Sequence, residues 1–96
     1  MAYAVAVTWV ARPGEEERVA DAARQLLTPT RAEPGCRFYQ AFRSSDDPRT
    51  FFFFEIYDDE EAFESHRASA HIKELAIDTA IPLLERRELT RYETLD

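Results

Sequence analysis

Glycine is nearly absent from this 96-residue chain, which has only Gly14 and Gly35. Two isolated glycines cannot build the Gly-rich loop that cradles phosphates, nor the fingerprint turn of a flavin or nicotinamide fold. There is no nucleophile elbow either. Cysteine occurs once, as Cys36, so no internal disulfide can form and a thiol-ligated metal site would have to be a mixed one. That usage fits a reducing compartment. Basic residues are scarce, with 12 Lys and Arg against 19 Asp and Glu and a net charge of -7. A surface of this sign disfavours nucleic acid, which is bound by displacing counterions with a basic patch. It disfavours an anionic membrane surface for the same reason. The opening run Met1 to Val10 is apolar but lacks a basic leader segment and is too short to span a bilayer. A cytoplasmic protein is expected, with no nucleic-acid or membrane partner. Internal repeats, low-complexity tracts and linkers are also missing, so the chain reads as one domain, 1-96.

Aromatic residues are plentiful, and four of them stand together in Thr50-Phe51-Phe52-Phe53-Phe54-Glu55-Ile56-Tyr57. Side chains alternate along a strand. Phe51, Phe53, Glu55 and Tyr57 therefore share one face, and Phe52, Phe54 and Ile56 the other. Both faces are apolar, as in a strand inside a sheet covered on both sides. Tyr3 to Ala11 alternates as well, with Tyr3, Val5, Val7 and Trp9 against smaller residues. Arg12-Pro13-Gly14 ends that strand. Acidic residues from Glu15 open a helix carrying Val19, Ala22, Ala23, Leu26 and Leu27 at helical spacing. Pro29 predicts a break or kink near Thr28. Glu33-Pro34-Gly35 is a turn, with Gly35 available for positive φ. Cys36 to Arg43 is a third strand, joined to the phenylalanine strand by the polar hairpin loop 44–49. Asp58 or Asp59 caps the next helix, the former at capping-box distance from Glu61. That helix has an inner face of Ala62, Phe63 and His66. A second helical segment starts at Ile72, Pro82 marks its kink or end, and Arg87 to Leu95 is a last strand.

The order β-α-β-β-α-(α)-β is a ferredoxin-like split βαβ pattern, an α+β fold with a four-stranded antiparallel sheet and helices on one face. The other sheet face would remain apolar, and an exposed apolar face of that size is an interaction surface. A homodimer with two open sheet faces packed together is the expected partner arrangement.

Chemistry has few carriers. No metal motif is present, because His66 and His71 are five apart and would not share a face of one straight helix. His66 faces an apolar interior, where it is either a buried, hydrogen-bonded histidine or a general base. Glu55 is the lone carboxylate among phenylalanines and is expected to orient a neighbour. Trp9, Phe53, Tyr57 and Phe63 are core or pocket wall, and His71 lies near a helix end. Arg37, Arg43 and Arg91 read as surface or dimer-contact charges, and Cys36 as a small buried hydrophobe.

Thr30-Arg31-Ala32-Glu33-Pro34-Gly35-Cys36, then Glu55-Ile56-Tyr57, then His66, Ser69 and His71 in His-x-x-Ser-x-His spacing, together resemble the antibiotic biosynthesis monooxygenase (ABM) domain. The resemblance covers nearly the whole chain. It implies a dimeric α+β barrel of ferredoxin-like halves. It also implies a cofactor-independent monooxygenase that oxidises a small quinol or polyphenolic aromatic with O2. In that role His66 would be the base or an anion-stabilising donor, Glu55 its partner, and Trp9, Phe53, Tyr57, Phe63 and His71 would contact substrate. Some relatives degrade haem with a helix tryptophan, a first-strand asparagine and a downstream histidine. Here His66 stands at the tryptophan position and Ala76 at the histidine position, and the first strand has no asparagine, so haem chemistry is disfavoured. A small-molecule-binding accessory or stress protein without catalysis is the alternative.

Overall fold

The computed structural model describes residues 1–96. Strand β1 (Tyr3–Ala11) is followed by helix α1 (Glu16–Arg31), strands β2 (Cys36–Arg43) and β3 (Thr50–Tyr57), and helix α2 (Glu60–Arg67). A wider-wound helix α3 (Ile72–Ala80), a single tight turn Ile81–Leu83 and strand β4 (Leu84–Glu93) complete the chain. The four strands form one antiparallel sheet in the order β2-β3-β1-β4. This is the α+β, ferredoxin-like arrangement with the helices on one face.

The period-2 pattern decides which side of the sheet they cover. Phe51, Phe53, Glu55 and Tyr57 are all buried, whereas Phe52 is exposed. In register with them on the covered face stand Trp9, Val7, Val5 and Tyr3 of β1, and Tyr39 and Ala41 of β2. Against this face α1 buries Val19, Ala20, Ala22, Ala23 and Leu26. Small residues on α1 let its backbone come close to the bulky strand residues. The main core therefore combines alanines from the helix with Trp9, Tyr39, Phe51 and Phe53 from the sheet.

Several local expectations need correction. Helix α1 runs unbroken through Pro29 to Arg31. Pro29 sits in the last turn, where its missing N–H costs one bond and the chain is about to leave the helix anyway. Gly35 has no positive φ; Gly14 alone does, at 90°. What Gly35 needs is space, because a Cβ there would lie 2.5 Å from the Ala62 Cβ. Asp59 is the cap of α2, its Oδ1 accepting the Ala62 N–H at 2.8 Å. Asp58 instead accepts from Arg37 Nε at 2.6 Å. A bulge between Cys36 and Phe38 breaks the alternation of β2, so Cys36 packs beside Val5, Tyr57 and Phe63 while Phe38 faces out. Strand β4 begins at Leu84, three residues before the expected start, since the tight turn holding Pro82 already reverses the chain.

The open face of the sheet carries Phe38, Phe42 and Phe52, which are 45%, 49% and 39% exposed, and Tyr92 at 54%. Phe42 meets Phe52, and Phe38 meets Phe54, across the β2–β3 pair at centroid distances of 6.0 and 6.1 Å. No helix is long and apolar enough to cross a membrane.

Candidate functional site

Beneath the helices lies a cavity of about 840 Å³, a size that suits a small organic ligand. Val7 and Trp9 of β1, Tyr39 of β2 and Phe53 and Glu55 of β3 stand on the sheet side; Phe63 and His66 of α2, Ile72 and Ala76 of α3 and Leu89 of β4 stand among the residues around it, and Glu64, Arg67 and Glu88 add charge to the lining. Arg87 and Arg91 reach the same space from β4. Trp9 and Phe53 meet edge to face with centroids 4.7 Å apart, a rigid aromatic corner.

Polar groups enter this wall from β3 and α2. Glu55 is 4% exposed and His66 5%. The Tyr57 hydroxyl donates to Glu55 Oε1 at 2.6 Å. Burial drives the Glu55 carboxyl up from 4.5 to about 7, against the Tyr57 hydrogen bond, which lowers it, and with help from the Glu33 charge. Glu55 therefore changes protonation near neutrality. Burial, followed by the nearby Glu55 charge, pushes both Tyr39 and Tyr57 well above the ordinary phenol range, so each stays a neutral donor. Cys36 is raised to about 11, chiefly by burial and then by Glu33, which leaves it a thiol rather than a nucleophile.

His66 is held at one of its two nitrogens. Its Nδ1 lies 2.8 Å from Glu33 Oε2, and its Nε2 faces Glu55 Oε1 at 3.8 Å, beyond hydrogen-bond reach. The ring is walled by Tyr57, Tyr39 and Phe63 at centroid distances of 5.2, 5.8 and 6.1 Å. Burial holds its pKa below the usual histidine value, outweighing the Glu33 contact that raises it, with small lowering effects from His71 and Arg67. The imidazole is thus neutral at neutral pH. A carboxylate only accepts, so Nδ1 carries the proton and Nε2 presents a lone pair on the Glu55 side.

His71 was not expected to meet His66, yet its Nε2 also reaches Glu33 Oε2, at 2.6 Å. The helix does not continue straight between them. α2 ends at Arg67, and Ser69 Oγ then donates to the His66 carbonyl at 2.7 Å and accepts the Ile72 N–H at 3.4 Å. That turn folds His71 back over His66, with ring centroids 6.2 Å apart. Glu33 comes from the turn after α1, where the Cys36 N–H closes onto the Glu33 carbonyl at 3.1 Å. The donor atoms of Glu33, His66 and His71 lie within 4.8 Å of one another. Nitrogens at 2.6 and 2.8 Å from one oxygen are at hydrogen-bond spacing. Ligand atoms around a metal with bonds near 2.0–2.1 Å stand about 3 Å apart or more. At these spacings the three side chains stand as hydrogen-bond partners, and one ligand atom from each is available at the same point.

Of the residues singled out from sequence, Trp9, Phe53, Glu55, Phe63 and His66 line the cavity. Tyr57 is fully buried behind Glu55 and touches it rather than the cavity, and His71 lies on the far side of Glu33. Glu33 was overlooked as a site residue. The available signal was an acidic residue fixed in a tight Pro-Gly turn, a place where a side chain is held by backbone rather than left to solvent. Arg37 pairs with Asp58 at the surface. Arg43 contacts Glu17 and lies 5.0 Å from the Phe51 ring. Arg91 donates to the Tyr3 hydroxyl and covers Phe63 at 5.4 Å.

Over residues 1–76 the chain matches the family described as antibiotic biosynthesis monooxygenase, ABM. It belongs to that family. Rv0793 of Mycobacterium tuberculosis, provisionally named a monooxygenase, is 35% identical over 68 residues, which cover 71% of this chain and 66% of that protein. The uncharacterised protein sll1783 of Synechocystis sp. is 23% identical over 82 residues, covering 85% of this chain and 56% of its own length. The matches thus span just under two thirds and somewhat over half of these relatives. The solved structure of Rv0793 superposes with a TM-score of 0.90 at 31% identity, covering 100% of this chain and 97% of that one. PA3566 from Pseudomonas aeruginosa superposes with a TM-score of 0.91 at 26% identity, covering 99% and 95%.

Proposed function

We propose that this protein is a cofactor-independent monooxygenase that oxidises a small phenolic or quinol-type aromatic with O2, and that His66 is its base. The observation that carries the reading is His66 itself: a neutral imidazole with a free Nε2, on the wall of an apolar cavity, beside a carboxyl group that titrates near pH 7. Trp9, Phe53 and Phe63 supply aromatic walls for a planar ring. An anthrone-type substrate shows the balance. His66 takes one proton from the ring methylene, and the resulting delocalised anion passes one electron to O2. The radical and superoxide combine at that carbon to give a peroxide. The O–O bond then breaks; one oxygen stays as the new carbonyl, and the other leaves as water with the two hydrogens of the methylene. Glu55, protonated in part near neutrality, donates to the developing oxyanion or to the departing oxygen. The aromatic and aliphatic part of the lining would shield the carbanion from simple reprotonation.

Oxygen uptake with anthrone and a panel of hydroquinones tests the reading. Turnover above the uncatalysed rate is expected without added metal or flavin. His66→Ala should lower it by about 10²–10⁴-fold, the usual worth of a positioned base. Full activity in that variant, or a bound aromatic recovered unchanged by the wild type, would overturn it.

The working unit in this proposal is a homodimer with the open sheet faces packed together. Phe38, Phe42, Phe52 and Tyr92 support it, because a wet aromatic side chain forgoes roughly 1.5–3 kcal/mol of burial.

A further inference from the structure

We propose that Glu33 is the positioning residue of the His66 base, and that His71 in turn holds Glu33, so that a His71–Glu33–His66 chain fixes which nitrogen of His66 faces the cavity. This inference rests on the function proposed above for His66 and assigns two further residues to it. Three observations carry it. Glu33 Oε2 is shared by His66 Nδ1 at 2.8 Å and His71 Nε2 at 2.6 Å, which sets the carboxylate from two directions. The three groups come from three separate places in the chain: the turn after α1, the end of α2, and the residue that opens α3. Ser69 ties the last two together through the His66 carbonyl and the Ile72 N–H. Surface histidines need no such bracing.

The consequence is chemical. With Nδ1–H given to Glu33, His66 can act only through Nε2. When Nε2 takes a proton, the ring becomes an imidazolium 2.8 Å from a carboxylate, and the charge that forms in the proton-transfer step is met by one already in place. Without Glu33 the buried ring would be free to place its proton on Nε2, on the Glu55 side, which removes the lone pair the base needs. Other titratable or charged groups around His66 are Tyr39 of β2, Glu55 and Tyr57 of β3, and Arg67 of its own helix. None of these reaches Nδ1 with a hydrogen bond.

The test uses the intact protein labelled with 15N at histidine. In NMR spectra His66 should show a pyrrole-type Nδ1 and a pyridine-type Nε2 in the wild type, and a mixed or reversed pattern in Glu33→Gln. This readout needs no substrate, so it separates failure of the chain from failure of the proposed reaction. In turnover assays Glu33→Gln should lower kcat by about 10²-fold or more with KM changed less than about threefold, and Glu33→Asp should restore part of it. The acid limb of the pH profile should move to lower pH in Glu33→Gln, because the charge that favours imidazolium is gone. A merely structural role would leave that limb in place. His71→Asn, which keeps a donor toward Glu33, should stay closer to wild type than His71→Ala. A wild-type His66 with its proton on Nε2 would overturn the proposal. So would one-to-one zinc binding that displaces both protons, which would make the cluster a metal site.

Discussion

Glu55 feels two opposed influences, and their balance predicts how stability follows pH. Burial favours its neutral form, the Tyr57 hydroxyl favours the charged one, and burial wins, placing the group at about 7 rather than 4.5. The folded state therefore holds a proton that the unfolded chain has already released across this window. Stability from this group is fully present below about pH 4.5 and is lost as pH rises through about 7. The displacement amounts to something on the order of 3 kcal/mol. His66 works the other way: its depressed pKa contributes stability above the ordinary histidine value that is lost as pH falls. Glu55→Gln keeps an acceptor for Tyr57 but cannot titrate. Urea unfolding followed by the fluorescence of Trp9 should show wild-type stability falling relative to this variant between pH 5 and 8. Parallel curves would mean that Glu55 is ionised throughout. His66 and Glu55 were legible in the sequence because a polar residue in an apolar alternation has to be explained. Glu33 was not, because it meets His66 across 33 residues of sequence, and no local spacing reports that contact.

At the scale of elements, the order of strands and helices along the chain, the two faces of β3 and the helix faces followed directly from period 2 and period 3.6. The errors fell where local propensity and tertiary packing compete. Pro29 suggested a break, yet the last turn of a helix has few bonds left to lose. His66 and His71 were judged on one straight helix, but the end of α2 at Arg67 and the Ser69 turn reset their geometry. Gly35 was assigned to a left-handed turn, and its true constraint is contact with α2. Gly35→Ala should therefore destabilise the fold by about 1–3 kcal/mol, the usual range for overpacking. Ala62→Gly added to it should recover part of that loss, because the clash is between those two Cβ positions. Thermal melting of the two single variants and the double variant measures the coupling; strict additivity would contradict it.

For the whole molecule, the sheet has one face under helices and one face of exposed aromatics. Phe42→Glu places a charge in the middle of that open face without touching the core or the cavity. In the proposed dimer two such charges would be buried together, so sedimentation should show wild type as a dimer and the variant as a monomer that remains folded. A monomeric wild type at micromolar concentration would remove the dimer. The same division of the sheet sets the cavity, since only the covered face brings β3 carboxylate and α2 imidazole together over Trp9 and Phe53. In the proposed reaction His66 drives transfer of one oxygen atom from O2 to an aromatic in that cavity. Turnover of anthrone under 18O2 measures this most directly. The product carbonyl should carry one 18O atom at a rate that collapses in His66→Ala; label entering from water instead, or equal incorporation in the variant, would contradict it.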